Sequence, residues 1–111
     1  MASADGEFVA WLVERLAALG AVRARRMFGG WGIFLDGLMF ALVADERLYL
    51  KCDDGNRAGF IAEDLPAFHY PRGGKMIELS YRLAPDEALE DDALLLDWSR
   101  GAVAAALRAK R

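Results

Sequence analysis

Side chains equipped for bond-making chemistry are scarce in this sequence, which holds one histidine, His69, and one cysteine, Cys52. A histidine works as a general base only beside a nucleophile and an orienting carboxylate. The spacing around "FHYP" supports neither a Ser-His-Asp nor a Cys-His arrangement. His69 therefore reads as a structural or surface residue of a strand, and a small enzyme built on it is the last of three functional readings. A single cysteine excludes an internal disulfide framework and a cysteine-based zinc site. Cys52 shares parity with Leu48 and Leu50, as a small buried hydrophobe would. The acidic pairs Asp45-Glu46, Asp53-Asp54, Glu63-Asp64 and Asp91-Asp92 fall in turns or at helix ends, where solvation and the helix dipole account for them. Asp53-Asp54-Gly55-Asn56 resembles the opening of a calcium loop but lacks the D-x-D-x-D-G spacing and the distal glutamate. On this reading the chain has no catalytic residue, no cofactor and no metal ligand.

The basic residues leave more open. Arg23, Arg25 and Arg26 fall within four positions, and Arg72 and Lys75 flank a second glycine turn. Arg23 and Arg25 belong on one strand face, where they suit an acidic partner or phosphates. A charged face neutralised by the chain's own carboxylates is the plainer account. Arg26 alternates with Val22, Ala24 and Phe28 and is expected to snorkel outward or to meet a carboxylate at the core's edge. "GGWG", Gly29 to Gly32, poses the sharpest choice. A phosphate-gripping loop joins a strand to a helix, so that bare N–H groups converge on the anion. Here a strand-like apolar run follows, and the spacing fits no phosphate-loop pattern, so Gly29-Gly30 reads as a hairpin corner.

The whole chain bounds what can hold these residues. Its 111 residues leave room for one domain, spanning 1–111. Three Trp, six Phe and three Tyr exceed what one small core hides, which predicts self-association, a homodimer being the expected form. A net charge of −3 argues against general affinity for nucleic acid or an anionic membrane. "MASADGEF" has no basic start and no apolar signal region. No apolar run approaches the roughly 20 residues that span a bilayer, so a soluble cytoplasmic protein is expected.

Periodicity then supplies the elements. Phe8, Trp11, Leu12, Leu16 and Leu19 recur at helical spacing over residues 4–19, with Ser3 or Asp5 as N-cap and Gly20 as a left-handed stop. From Val22 the period turns to two, and "VRARRMF", "WGIFL", "LMFALV" and "RLYLKC" form a four-strand meander. Asp36-Gly37 is a strong hairpin signal, and "ADE" at 44–46 makes another turn. A short helix is expected near Arg57 to Glu63. Two strands joined by "PRGG" come next, the second with Glu78, Ser80 and Arg82 on a wet face. Pro85 introduces one long helix over 86–109, with Leu95, Trp98, Ala102, Val103, Ala106 and Leu107 as its buried stripe. Phe28 and Trp98 are placed in the core. The order α-β-β-β-β-(α)-β-β-α predicts an α+β fold, an antiparallel sheet with helices at the chain's two ends.

Taken in order, these motifs resemble the N-terminal domain of the TfoX/Sxy family, bacterial regulators of natural competence. The likeness rests on Arg26-Met27-Phe28-Gly29-Gly30, the turn Asp36-Gly37, "LYLK" ending in Lys51, and "GK-IELSY--AP" with Tyr81 and Pro85, and it covers roughly residues 5–109. It implies a secretion-chaperone-like α+β architecture, often dimeric, with no cofactor and no catalytic residue. It also implies work through transcription machinery, in partnership with the cyclic-AMP receptor protein. Full-length members carry a second, helical domain related to DNA-binding hairpins, and a chain that stops at Arg111 is expected to lack it. The leading reading is thus a non-enzymatic, protein-binding regulatory module. Nucleic-acid or phospho-ligand binding through Arg23, Arg25, Arg72 and Lys75 comes second.

Overall fold

The computed structural model describes residues 4–27 and 29–110. Ser3 and Phe28, named above as an N-cap and a core residue, lie outside the described residues. Helix α1 (Ala4–Arg15) runs into a 3₁₀ turn (Leu16–Leu19) and is followed by strands β1 (Val22–Met27), β2 (Gly30–Leu35), β3 (Leu38–Ala44) and β4 (Arg47–Lys51). Helix α2 (Arg57–Ala62), strands β5 (Ala67–Arg72) and β6 (Lys75–Leu83), and helices α3 (Asp86–Glu90) and α4 (Asp92–Lys110) complete the chain. All strand pairs are antiparallel, in one six-stranded sheet ordered β1-β2-β3-β4-β6-β5. The expected α+β order is therefore what the chain adopts. No helix among the described residues is long and apolar enough to cross a membrane.

Turn chemistry fixes this order. A two-residue hairpin follows the twist of its strands when both central residues take positive φ. Asp36 and Gly37 do so at 51° and 80°, and Gly73 and Gly74 at 58° and 78°. The turn Asp45-Glu46 adopts the same conformation at 51° and 60° without a glycine. Its strain is held from outside, because the Glu46 N–H donates to Asp5 Oδ1 at 2.6 Å. Asp5 thus sits in the first turn of α1 and pins a hairpin, where the sequence suggested an N-cap.

The helices cover one side of the sheet. α1 lies on β1, β2 and β3, and α4 lies on β3 and β4. Leu12, Leu16, Leu95 and Ala102 meet Ile33, Phe40, Val43, Leu48 and Leu50 there, all 1% exposed or less. Complete burial of each of the larger side chains stabilises the fold by about 1.5–3 kcal/mol.

Three details depart from the sequence reading. The last helix is broken at Asp91, which takes extended backbone (φ −142°, ψ 111°), while its Oδ1 accepts the N–H groups of Ala93 and Leu94. A short side-chain acceptor satisfies the free donors of a helix start, so Asp91 caps α4 and ends α3. Leu107 is 47% exposed, outside the buried stripe. Gly20 stops the first helix at φ 135°, ψ −155°, a glycine-favoured region distinct from the left-handed helical one.

Candidate interaction surface

The side of the sheet turned away from the helices has an unusual composition. Directly paired residues share a face, so the register Arg25-Gly32-Leu42-Tyr49-Leu83 traces one row across five strands. Arg23-Phe34-Met39, Lys51-Tyr81 and Tyr70-Ile77 lie on the same side. An antiparallel sheet with one free face normally alternates apolar-in and polar-out. Here Leu42, Phe68 and Tyr81 are buried on the free side, packed by Met39, Ala44, Tyr49, Tyr70 and Leu79. Every member of this second cluster belongs to a strand, and no second layer covers it among the described residues. Tyr49 and Phe68 meet edge to face at 4.9 Å. Tyr81 donates its hydroxyl to the Met39 carbonyl at 3.3 Å, and burial pushes the phenol up to about 12.

The wet parity expected of β6 is present at Glu78 and Ser80, and it lies on the side of the sheet that carries the helices. Both are exposed there, where α4 packs mainly on β3 and β4. The apolar row Ile77, Leu79 and Tyr81 consequently faces away from the helices. Phe34, Met39, Leu42, Tyr49, Phe68, Tyr70 and Leu79 were not singled out as a surface in the sequence. The available signal was the all-apolar run of β3 together with the apolar parity of β6.

Every ion pair of an arginine among the described residues lies on the helix side, although Arg26 and Arg82 on that side also lack a carboxylate partner there. On the helix side Arg15 pairs with Asp92 at 3.1 Å, Arg100 with Asp97 at 3.3 Å, and Arg57 with Asp54. Arg108 grips Asp53 through two bonds, Nε to Oδ2 at 2.6 Å and a terminal nitrogen to Oδ1 at 2.7 Å. These bonds, helped by the Gly55 N–H and opposed by partial desolvation, lower the Asp53 carboxyl to about 2. On the free side, Arg23, Arg25, Arg47, Lys51, Arg72 and Lys75 have no carboxylate partner among the described residues. The Arg25 guanidinium lies 5.2 Å from the Phe34 ring centre, and the Lys51 ammonium 5.1 Å from that of Tyr81. Such contacts are worth about 0.5–1 kcal/mol at exposed positions and leave outward N–H groups available.

Arg23 and Arg25 line a groove of about 580 Å³ at the β1 edge, with Phe34 and Asp36. Arg72 and Lys75 flank the β5–β6 hairpin at the far edge, so the sheet does not gather the four into one site. Five interstrand steps of about 4.8 Å separate the edge strands, on the order of 24 Å. Arg26 points out of the core, the first of the two outcomes expected, and lies 5.6 Å from the Trp31 ring centre with no carboxylate partner among the described residues.

The remaining described motif residues stand in turns and at strand or helix ends. Met27 and Gly30 close the first hairpin opposite each other, and Gly29 turns it at φ 72°. A side chain at Gly30 would collide with the Val43 carbonyl, which is why β2 begins with glycine. The glycine corner is a bend between strands, as the sequence indicated. Pro85 stands at the N-cap of α3. Cys52 is buried. His69 is exposed, its Nε2 3.2 Å from Glu78 Oε1 across the β5–β6 ladder and its Nδ1 3.2 Å from the Ala67 carbonyl. A carboxylate thus does lie beside the histidine, but no cysteine or serine is recorded among its partners. Among the described residues, no group of three His, Cys, Asp or Glu side chains is placed to hold a metal.

Two comparisons bear on this geometry. The family model described as the TfoX N-terminal domain matches residues 14–106. The chain is also 27% identical over 97 residues to Protein Sxy of Escherichia coli (strain K12), an alignment covering 87% of this chain and 46% of that protein. The chain thus spans about half the length of the curated relative it matches.

Proposed function

This chain belongs to the TfoX N-terminal domain family, and we propose that it is a non-enzymatic protein-interaction module serving transcriptional regulation of the competence type in the cytoplasm. The observation that carries this reading is the helix-free sheet face, where apolar side chains and unpaired cations stand in place of a polar, self-neutralised surface. A contiguous, half-buried apolar surface with no layer over it among the described residues is of the kind that marks sites of association. The motif glycines and the Asp36-Gly37 turn shape the sheet that presents the face. Exposed His69 bonds to Glu78 and to the Ala67 carbonyl, and no hydroxyl or thiol is among its hydrogen-bond partners in the described residues.

Pull-down from a native lysate of the source cell tests the reading. The wild-type chain is expected to recover a transcription factor or a polymerase component, and Leu79→Lys is expected to lose it while His69→Gln keeps it. Recovery of the same partner by Leu79→Lys, with that variant folded, would contradict the assignment of the face.

Phosphate or nucleic-acid binding at Arg23 and Arg25 is the second reading, motivated by the cationic groove at the β1 edge. It requires affinity that falls steeply with salt. The separation of Arg72 and Lys75 from that groove leaves a two-arginine site, and the chain's net charge of −3 opposes polyanions at long range.

A further inference from the structure

We infer that the helix-free face takes an acidic, amphipathic protein segment, one that sets aliphatic or aromatic side chains on the sheet and carboxylates on its cationic margins. This inference rests on the protein-interaction reading and names the partner's chemistry. Charge complementarity is the first argument. No strand position of the outward parity holds Asp or Glu, whereas Arg23, Arg25, Arg47, Lys51, Arg72 and Lys75 do point that way. None of these six forms an ion pair among the described residues, although the helix side neutralises Arg15, Arg57, Arg100 and Arg108. A chain with 17 acidic and 14 basic residues has carboxylates to spare, yet they stand off the outward strand positions, and Asp36 reaches the margin from the β2–β3 turn, where it lines the groove with Arg23 and Arg25.

Shape and chemistry favour protein over nucleic acid. Base stacking needs open ring faces, but Phe68 and Tyr81 are 8% exposed and covered by their neighbours. What the surface offers instead includes flexible thioethers. Met27 and Met39 lean over Gly32, where a side chain would strike both sulfurs and the Phe34 ring. Methionine surfaces repack around varied apolar partners. A second copy of this chain suits the face poorly, because a twofold contact would bring its six cations up against another six with no outward strand carboxylate between them.

Selection of a displayed random 16-residue peptide library on the immobilised chain tests this. Enriched peptides should be net negative with aliphatic or aromatic anchors. Their affinity should fall at least tenfold in the double variant Arg23→Gln/Arg25→Gln and be lost in Leu79→Lys, with Ile77→Lys replacing the latter if it does not fold. Neutral or basic binders that are lost in Leu79→Lys would overturn the acid preference and leave the protein-interaction reading standing. Binders indifferent to all these substitutions, or none, would overturn both. So would a 20-nucleotide oligothymidylate that binds with the same arginine dependence. A solution dimer broken by Leu79→Lys would assign the face to a second copy and overturn the inference.

Discussion

At the scale of single residues, two titrating groups make the account measurable. The Arg108 hydrogen bonds hold Asp53 at about 2 against an ordinary 3.8, so the folded state binds that proton less readily than the unfolded chain. A depressed carboxyl contributes stability that is complete above the unfolded value and lost as pH falls through the folded one. The stability advantage of the wild type over Asp53→Asn should therefore be steady above about pH 5 and vanish between about pH 4 and 2, as read by urea midpoints. The pair is partly exposed, and the advantage should shrink with added salt. Tyr81 works in the opposite sense, since burial raises it to about 12 and the fold favours the neutral phenol. Its contribution is complete below about pH 10 and lost as pH rises towards 12. Tyr81→Phe should flatten that part of the alkaline limb in the same measurement. Neither partnership was visible in the sequence, because Asp53 and Arg108 lie 55 positions apart and only packing joins them.

At the scale of elements, local chemistry decided what could be foreseen. Asp36-Gly37 announces its turn because so few dipeptides tolerate two positive φ angles, and the pleat of β1 follows from its alternation. The break at Asp91 was hidden inside an acidic run that suits a helix start equally well one turn earlier. Only the extended backbone of Asp91 and its bonds to Ala93 and Leu94 separate α3 from α4. Asp91→Ala should cost about 1 kcal/mol in denaturant unfolding through loss of that cap. Between α2 and α4, Phe60 is 1% exposed and meets Trp98 edge to face at 5.0 Å. Phe60→Ala should cost about 3–5 kcal/mol, and the half-buried Trp98 less than that when truncated. Equal costs would show that the ring of Trp98 is as deeply packed as that of Phe60.

At the scale of the whole molecule, the two sides of the sheet divide the labour. One side takes the helices and builds the main core, and the other is left apolar, methionine-bearing and fringed by cations. Parity told the sequence reader which residues of each strand share a side, as for Ile77, Leu79 and Tyr81. It did not tell which side the helices occupy, since that depends on how far α4 reaches across the sheet. The methionines offer the most direct check on the assignment of the docking face. Met27 and Met39 lie on the helix-free face, while Met76, 64% exposed, pairs with Pro71 on the opposite parity. Hydroxyl-radical footprinting, with and without the captured partner, reads all three at once. Binding should suppress oxidation of Met27 and Met39 several-fold and leave Met76 unchanged; protection of Met76 with Met27 and Met39 unaltered would contradict the account.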